Sequence, residues 1–97
     1  MEKLHSENID TLFKAILSLD TVEECYSFFR DLCTVKEVKD MAQRMQVALL
    51  LSEGKNYQEI NEMTQVSTAT ISRVKNALEY GSDGYKIAIE NLKEKTE

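Results

Sequence analysis

The segment Tyr57-Gln58-Glu59-Ile60-Asn61-Glu62-Met63-Thr64-Gln65-Val66-Ser67-Thr68-Ala69-Thr70-Ile71-Ser72-Arg73-Val74-Lys75-Asn76-Ala77-Leu78 reads as two short helices broken by a tight turn. Asn56 with Glu59 forms a capping box that opens the first, and Tyr57, Ile60 and Met63 recur on one face of it. Ser67 can satisfy the orphan amides of the second, whose apolar row is Ile71, Val74 and Leu78, and Gly81 closes it. A helix-turn-helix needs this order, with a second helix whose outer face can enter the major groove of DNA. Ile60, Val66, Ile71 and Val74 are the contacts expected to set the angle between the two helices. Thr68, Ala69 and Ser72 then point outward near the second helix's start. They are small enough for base edges to approach, with hydroxyls suited to phosphates or bases and methyls suited to thymine. Arg73, Lys75, Gln58 and Tyr57 are placed to meet phosphate, and Asn61 and Ser67 complete the candidate DNA surface. One residue departs from the usual pattern. Gln65 stands at the turn position where glycine is common, and a left-handed backbone there costs roughly 1 kcal/mol without glycine.

Charge is distributed in keeping with this surface. The 97 residues carry a formal charge of −5, yet Thr64 to Leu78 holds two basic residues and no acidic one. Met1 to Cys33 holds three basic and seven acidic residues, so the acidic half is not the DNA-facing half. The overall acidity also suits another reading, a non-catalytic dimeric helical adaptor that binds protein rather than DNA.

Outward from the motif, capping signals and apolar periodicity extend the helical pattern over the chain. Ser6 precedes Ile9, Leu12, Phe13, Ile16 and Leu17. Thr21 with Glu24 precedes Val22, Cys25, Tyr26, Phe29, Leu32 and Cys33. Thr34 with Glu37 opens a longer segment whose inward set is expected to be Val38, Met41, Ala42, Met45, Ala48 and Leu49. Gly54 ends it as a left-handed cap. Ser82 and Asp83 start a last helix with Tyr85, Ala88, Ile89 and Leu92. With no proline and only three glycines, an all-β fold with many tight turns is disfavoured. The expectation is an all-α single domain of six helices: residues 1–33 as N-terminal dimerisation helices, 34–55 as a central helix, 56–80 as the helix-turn-helix and 81–97 as the C-terminal helix. The N-terminal helices carry three phenylalanines, more apolar surface than a two-helix head can cover, which points to a homodimer. Completing a monomeric bundle is the alternative.

Catalytic chemistry has little to stand on. Cys25 and Cys33 lie eight residues apart on one helical stripe, about 12 Å of rise, so they read as buried thiols rather than a disulfide. The single histidine, His5, cannot complete a zinc site with them, and no nucleophile–base pair or phosphate loop is present. No catalytic residue, metal or cofactor is expected. The longest apolar run, Val47 to Leu51, is far short of the roughly 18 residues a membrane span needs. Met1-Glu2-Lys3-Leu4-His5 opens no apolar signal region, so a cytoplasmic protein is expected.

Thr34, Ala42-Gln43-Arg44, Leu50-Leu51-Ser52-Glu53-Gly54 and Ala69-Thr70-Ile71-Ser72-Arg73 together resemble the Trp repressor family, and within it the TrpR-like YerC/YecD branch. The resemblance runs from about Cys33 to Asn91, and the six-helix layout extends it to the whole chain. It implies an intertwined homodimer in which the first two and last helices interlock with the partner while the fourth and fifth read DNA. It also implies an effector site. In the Trp repressor two arginines sandwich an indole, and Arg44 and Arg73 match them, with Thr34 matching a residue at the rim. Val74 stands where that protein has glycine, and Ala77 where it has serine. Ion pairing with Asp40 or Glu37 is the alternative role for Arg44, and phosphate contact for Arg73. With the pocket floor altered, L-tryptophan is not expected to be the effector. The resulting expectation is a DNA-binding transcriptional regulator, a repressor by resemblance.

Overall fold

Capping side chains set most of the helix boundaries. The computed structural model describes residues 5–96, and among them lie six α-helices and no strand. These are α1 (Glu7–Leu17), α2 (Val22–Leu32), α3 (Val35–Ser52), α4 (Tyr57–Thr64), α5 (Thr68–Tyr80) and α6 (Gly84–Thr96). The all-α expectation holds, with each start within two residues of its sequence signal. The opening Met1 to Leu4, on which the leader reading rests, lies outside the described residues, as does Glu97. Among the described residues no helix is long and apolar enough to cross a membrane.

The chain forms two compact units, one up to Val38 and one from Lys39 onward. In the first, Ser6 Oγ accepts from Ile9 N–H and starts α1. Thr21 Oγ1 accepts from Glu24 N–H at 3.0 Å, but the Glu24 carboxylate reaches the N–H of Asp20 rather than that of Thr21. The expected capping box is therefore stretched by one residue. At Thr34 it closes fully: Glu37 N–H donates to Thr34 Oγ1 and Glu37 Oε1 accepts from Thr34 N–H. Phe28 and Phe29 meet edge to face, centroids 5.6 Å apart. No residue of α1 or α2 is buried. Phe13, Leu17, Val22, Tyr26 and Leu32 lie open to solvent, Leu17 by 82%. The inward rows expected there exist as apolar faces, half-buried at Ile9, Leu12, Ile16, Cys25 and Phe29 and open at the residues just named.

The second unit holds the core. Val47, Ala48 and Leu50 of α3, Ile60 of α4, Val66 of the following turn, Ile71 and Val74 of α5 and Ile89 of α6 form one buried cluster. Two expectations are corrected here. On α3, Met41 and Ala42 are exposed while Val47 and Leu50 are buried. A single stripe does not describe a helix that begins in one unit and ends in the other. On α4, Met63 is exposed and its neighbour Thr64 is half-buried, because Tyr57, Ile60 and Thr64 make the inward row of a helix barely two turns long. Gly54, at φ 89°, closes α3. Its N–H bonds Leu51 O and that of Lys55 bonds Leu50 O, the paired pattern of a Schellman cap.

Candidate nucleic-acid interface

The two helices of the motif meet through a turn of three residues, Gln65, Val66 and Ser67. Asn56 and Glu59 bond reciprocally and open α4. Its end is set by Gln65, which takes φ 63° and ψ 13° and bonds its N–H to Asn61 O. Left-handed glutamine is uncommon because its Cβ crowds the following carbonyl, and the turn holds it with side chains. Gln65 Nε2 donates to Glu62 O at 3.3 Å, Thr64 Oγ1 donates to Ile60 O at 2.7 Å, and Asn61 Nδ2 donates to Val66 O at 2.9 Å. Ser67 then caps α5, its hydroxyl accepting from Thr70 N–H and donating to Thr70 Oγ1.

Beneath α5 the base is dry. Ile60, Ile71 and Val74 are fully enclosed and Val66 is 5% exposed. Burying these four on one side leaves the other side of α5 to solvent, and there Thr68, Ala69, Ser72 and Arg73 are all exposed. The structure thus brings the expected base-reading set together on one helical face. Tyr57, half-buried at the start of α4, carries Lys75 of α5 over its ring, Nζ lying 5.6 Å from the centroid. Lys75 also stands 3.9 Å from Glu79 one turn on, both side chains about half exposed. Gln58 is exposed beside Tyr57. Asn61 and Ser67 use polar atoms on the turn and the cap. Sequence reasoning gave Thr64 no part in the site, although a hydroxyl in a helix's last turn commonly bonds the carbonyl four residues back. The Lys75–Tyr57 contact was also missed. No pattern on a single helix reveals it.

The residues matched to an effector pocket differ in burial. Thr34, in the first unit, is exposed and spends its hydroxyl on capping α3. Arg44 on α3 is half-buried, Arg73 on α5 is exposed and Ala77 is half-buried. Val74 is fully enclosed in the core cluster. A separate groove of about 500 Å³ is lined by residues including Leu51, Lys75, Leu78, Lys86 and Ile89, and by none of these five. Among the described residues no group of three or more His, Cys, Asp or Glu could hold a metal ion.

Comparison with known proteins agrees with the motif and its setting. The family model described as Trp repressor protein matches residues 7–93. The uncharacterised protein YerC of Bacillus subtilis (strain 168) is 51% identical over 94 residues, spanning 97% of this chain and 90% of YerC. A crystal structure of a candidate Trp repressor from Staphylococcus aureus superposes with a TM-score of 0.91 at 47% identity, over 95% of this chain and 92% of that one. A TrpR-like protein from Eubacterium eligens ATCC 27750 does so with the same score and identity, over 95% of each. This chain belongs to the Trp repressor family, a family of DNA-binding helix-turn-helix regulators rather than enzymes.

Proposed function

We propose that this chain is a sequence-specific DNA-binding transcriptional regulator that works as a homodimer in the cytoplasm and represses by occupying its operator. The observation that carries this reading is the face of α5. Thr68, Ala69, Ser72 and Arg73 are exposed together near its N-terminus, above a base in which Ile60, Ile71 and Val74 are fully enclosed. A helix with side chains is about 10–12 Å across and the major groove about 12 Å wide, so a face of small side chains lets the helix seat deeply. In this arrangement α4 crosses the backbone and α5 enters the groove. Thr68, Ala69 and Ser72 read base edges. Arg73, Lys75, Gln58 and Tyr57 hold phosphate, and Ser67 and Asn61 complete the DNA surface.

The homodimer rests on the first unit. Helices with no buried residue and exposed Phe13, Leu17, Val22, Tyr26 and Leu32 need a partner surface to leave water, and a second copy supplies one of matching character. The enclosed Val74 supports a head set without L-tryptophan, because an aromatic ring at this position would have to displace core side chains. The Arg44 and Arg73 pair then serves packing and phosphate rather than a ligand.

Selecting bound sequences from random DNA with the purified protein tests the proposal. Enrichment of a two-fold-symmetric motif supports it. No enrichment, with affinity equal across sequences, contradicts it and favours the protein-binding adaptor.

A further inference from the structure

Val66 has an unusual position in the turn. It is 5% exposed, so its backbone groups lie where water does not readily serve them. Both are served by side chains of α4. Val66 N–H donates to Thr64 Oγ1 at 3.1 Å, and Val66 O accepts from Asn61 Nδ2 at 2.9 Å. The Thr64 hydroxyl passes its own hydrogen to Ile60 O, on a fully enclosed residue. The path Val66 N–H to Thr64 Oγ1 to Ile60 O therefore ties the turn to the part of α4 sunk deepest in the core. The residue after Val66 is Ser67, the N-cap of α5. Just before Val66, Gln65 holds a left-handed backbone that glutamine does not favour by itself.

We infer that Asn61 and Thr64 are positioning residues, a two-sided clamp on Val66 that fixes where α5 starts and the angle at which it meets DNA. The inference rests on the DNA-reading proposal above and assigns Asn61 to register rather than to base contact. A buried peptide group that loses its partner moves to find another, and here the first residues of α5 move with it. The clamp acts through one residue, so its two halves are not independent. Removing either releases Val66, and removing both does little more. Thr64 is half-buried and meets the turn at the Val66 N–H.

The experiment measures the ratio of specific to non-specific DNA affinity, using a sequence selected with the parent protein and a scrambled duplex. It is run well below each variant's melting temperature. Asn61→Ala and Thr64→Val are each expected to lower the ratio about tenfold, with the loss spread over all base positions of the half-site. The double variant should lose about as much as either single one, and Thr64→Ser, which keeps the hydroxyl, should match the parent. Two results overturn the clamp: a ratio unchanged in Asn61→Ala, or a change confined to one base pair while Thr64→Val is silent, which marks Asn61 as a direct contact. Asn61 is exposed, so Asn61→Ala keeps the core and decides the matter even if Thr64→Val fails to fold. A parent that selects no sequence overturns the functional reading and this inference together, whereas a selective parent with indifferent variants overturns the clamp alone.

Discussion

At Gln65 the backbone sits at φ 63° with a side chain attached, and the strain has a measurable consequence. Gln65→Gly removes a left-handed penalty of roughly 1 kcal/mol, offset in part by greater freedom of the unfolded chain. It should therefore leave stability level or raise it by up to about 1 kcal/mol. Gln65→Val, β-branched at positive φ, should lower it by about 1–2 kcal/mol. Urea melts check both, and a clear loss in the glycine variant contradicts the turn geometry. Val74 is the second informative residue. Calorimetric titration of the parent with L-tryptophan should show no saturable binding, because a ring forced against a packed valine costs roughly 1–3 kcal/mol. Saturation at one ligand per chain, coupled to tighter DNA binding, contradicts a head set without L-tryptophan. The exposed face of α5 was legible in the sequence because Ile71 and Val74 fix which side is buried, and Thr68, Ala69 and Ser72 follow from helical spacing. The work of Asn61 and Thr64 was not. Each looks like an ordinary polar helix residue until Val66, five and two positions away, turns back and presents its peptide groups.

Individual helices were readable to the extent that their ends were chemically marked. Asn56 with Glu59, Thr34 with Glu37 and the left-handed Gly54 left their signatures in single letters, and the structure closes all three. The faces of α3 were not readable in the same way. Its exposed Met41 and buried Val47 and Leu50 depend on neighbours that change along its length, and periodicity assumes they do not. Gly81, between α5 and α6, is a test at this scale. It takes φ −86° and ψ −152°, and its N–H bonds Ala77 O. A Cβ added there would collide with the backbone carbonyl of Ala77. Backbone cannot step aside as the end of a side chain can, so Gly81→Ala should cost roughly 1–3 kcal/mol. Gly54→Ala meets open space and should cost only about 1 kcal/mol, for its left-handed φ. Thermal melts that rank Gly54→Ala as the more damaging change contradict these surroundings.

For the whole molecule, the contrast between an enclosed core from Lys39 onward and open apolar faces on α1 and α2 points to assembly. Folding stability should rise with protein concentration, because a dimer's unfolding also dissociates it. Sedimentation showing a stable folded monomer at low concentration contradicts that. On DNA, Arg73→Ala should weaken all sequences alike and make the salt dependence shallower by about one unit per head, whereas Thr68→Ala should relax preference at one base position. The central claim is that two copies of this head read DNA across a two-fold axis, and spacing tests it most directly. Quantitative binding to duplexes carrying the selected half-site twice, with the centre-to-centre separation varied in single base-pair steps, should show a sharp optimum at about 34 Å, roughly one turn of B-DNA. Affinity that is flat across all separations, or equal for one half-site and two, would contradict it.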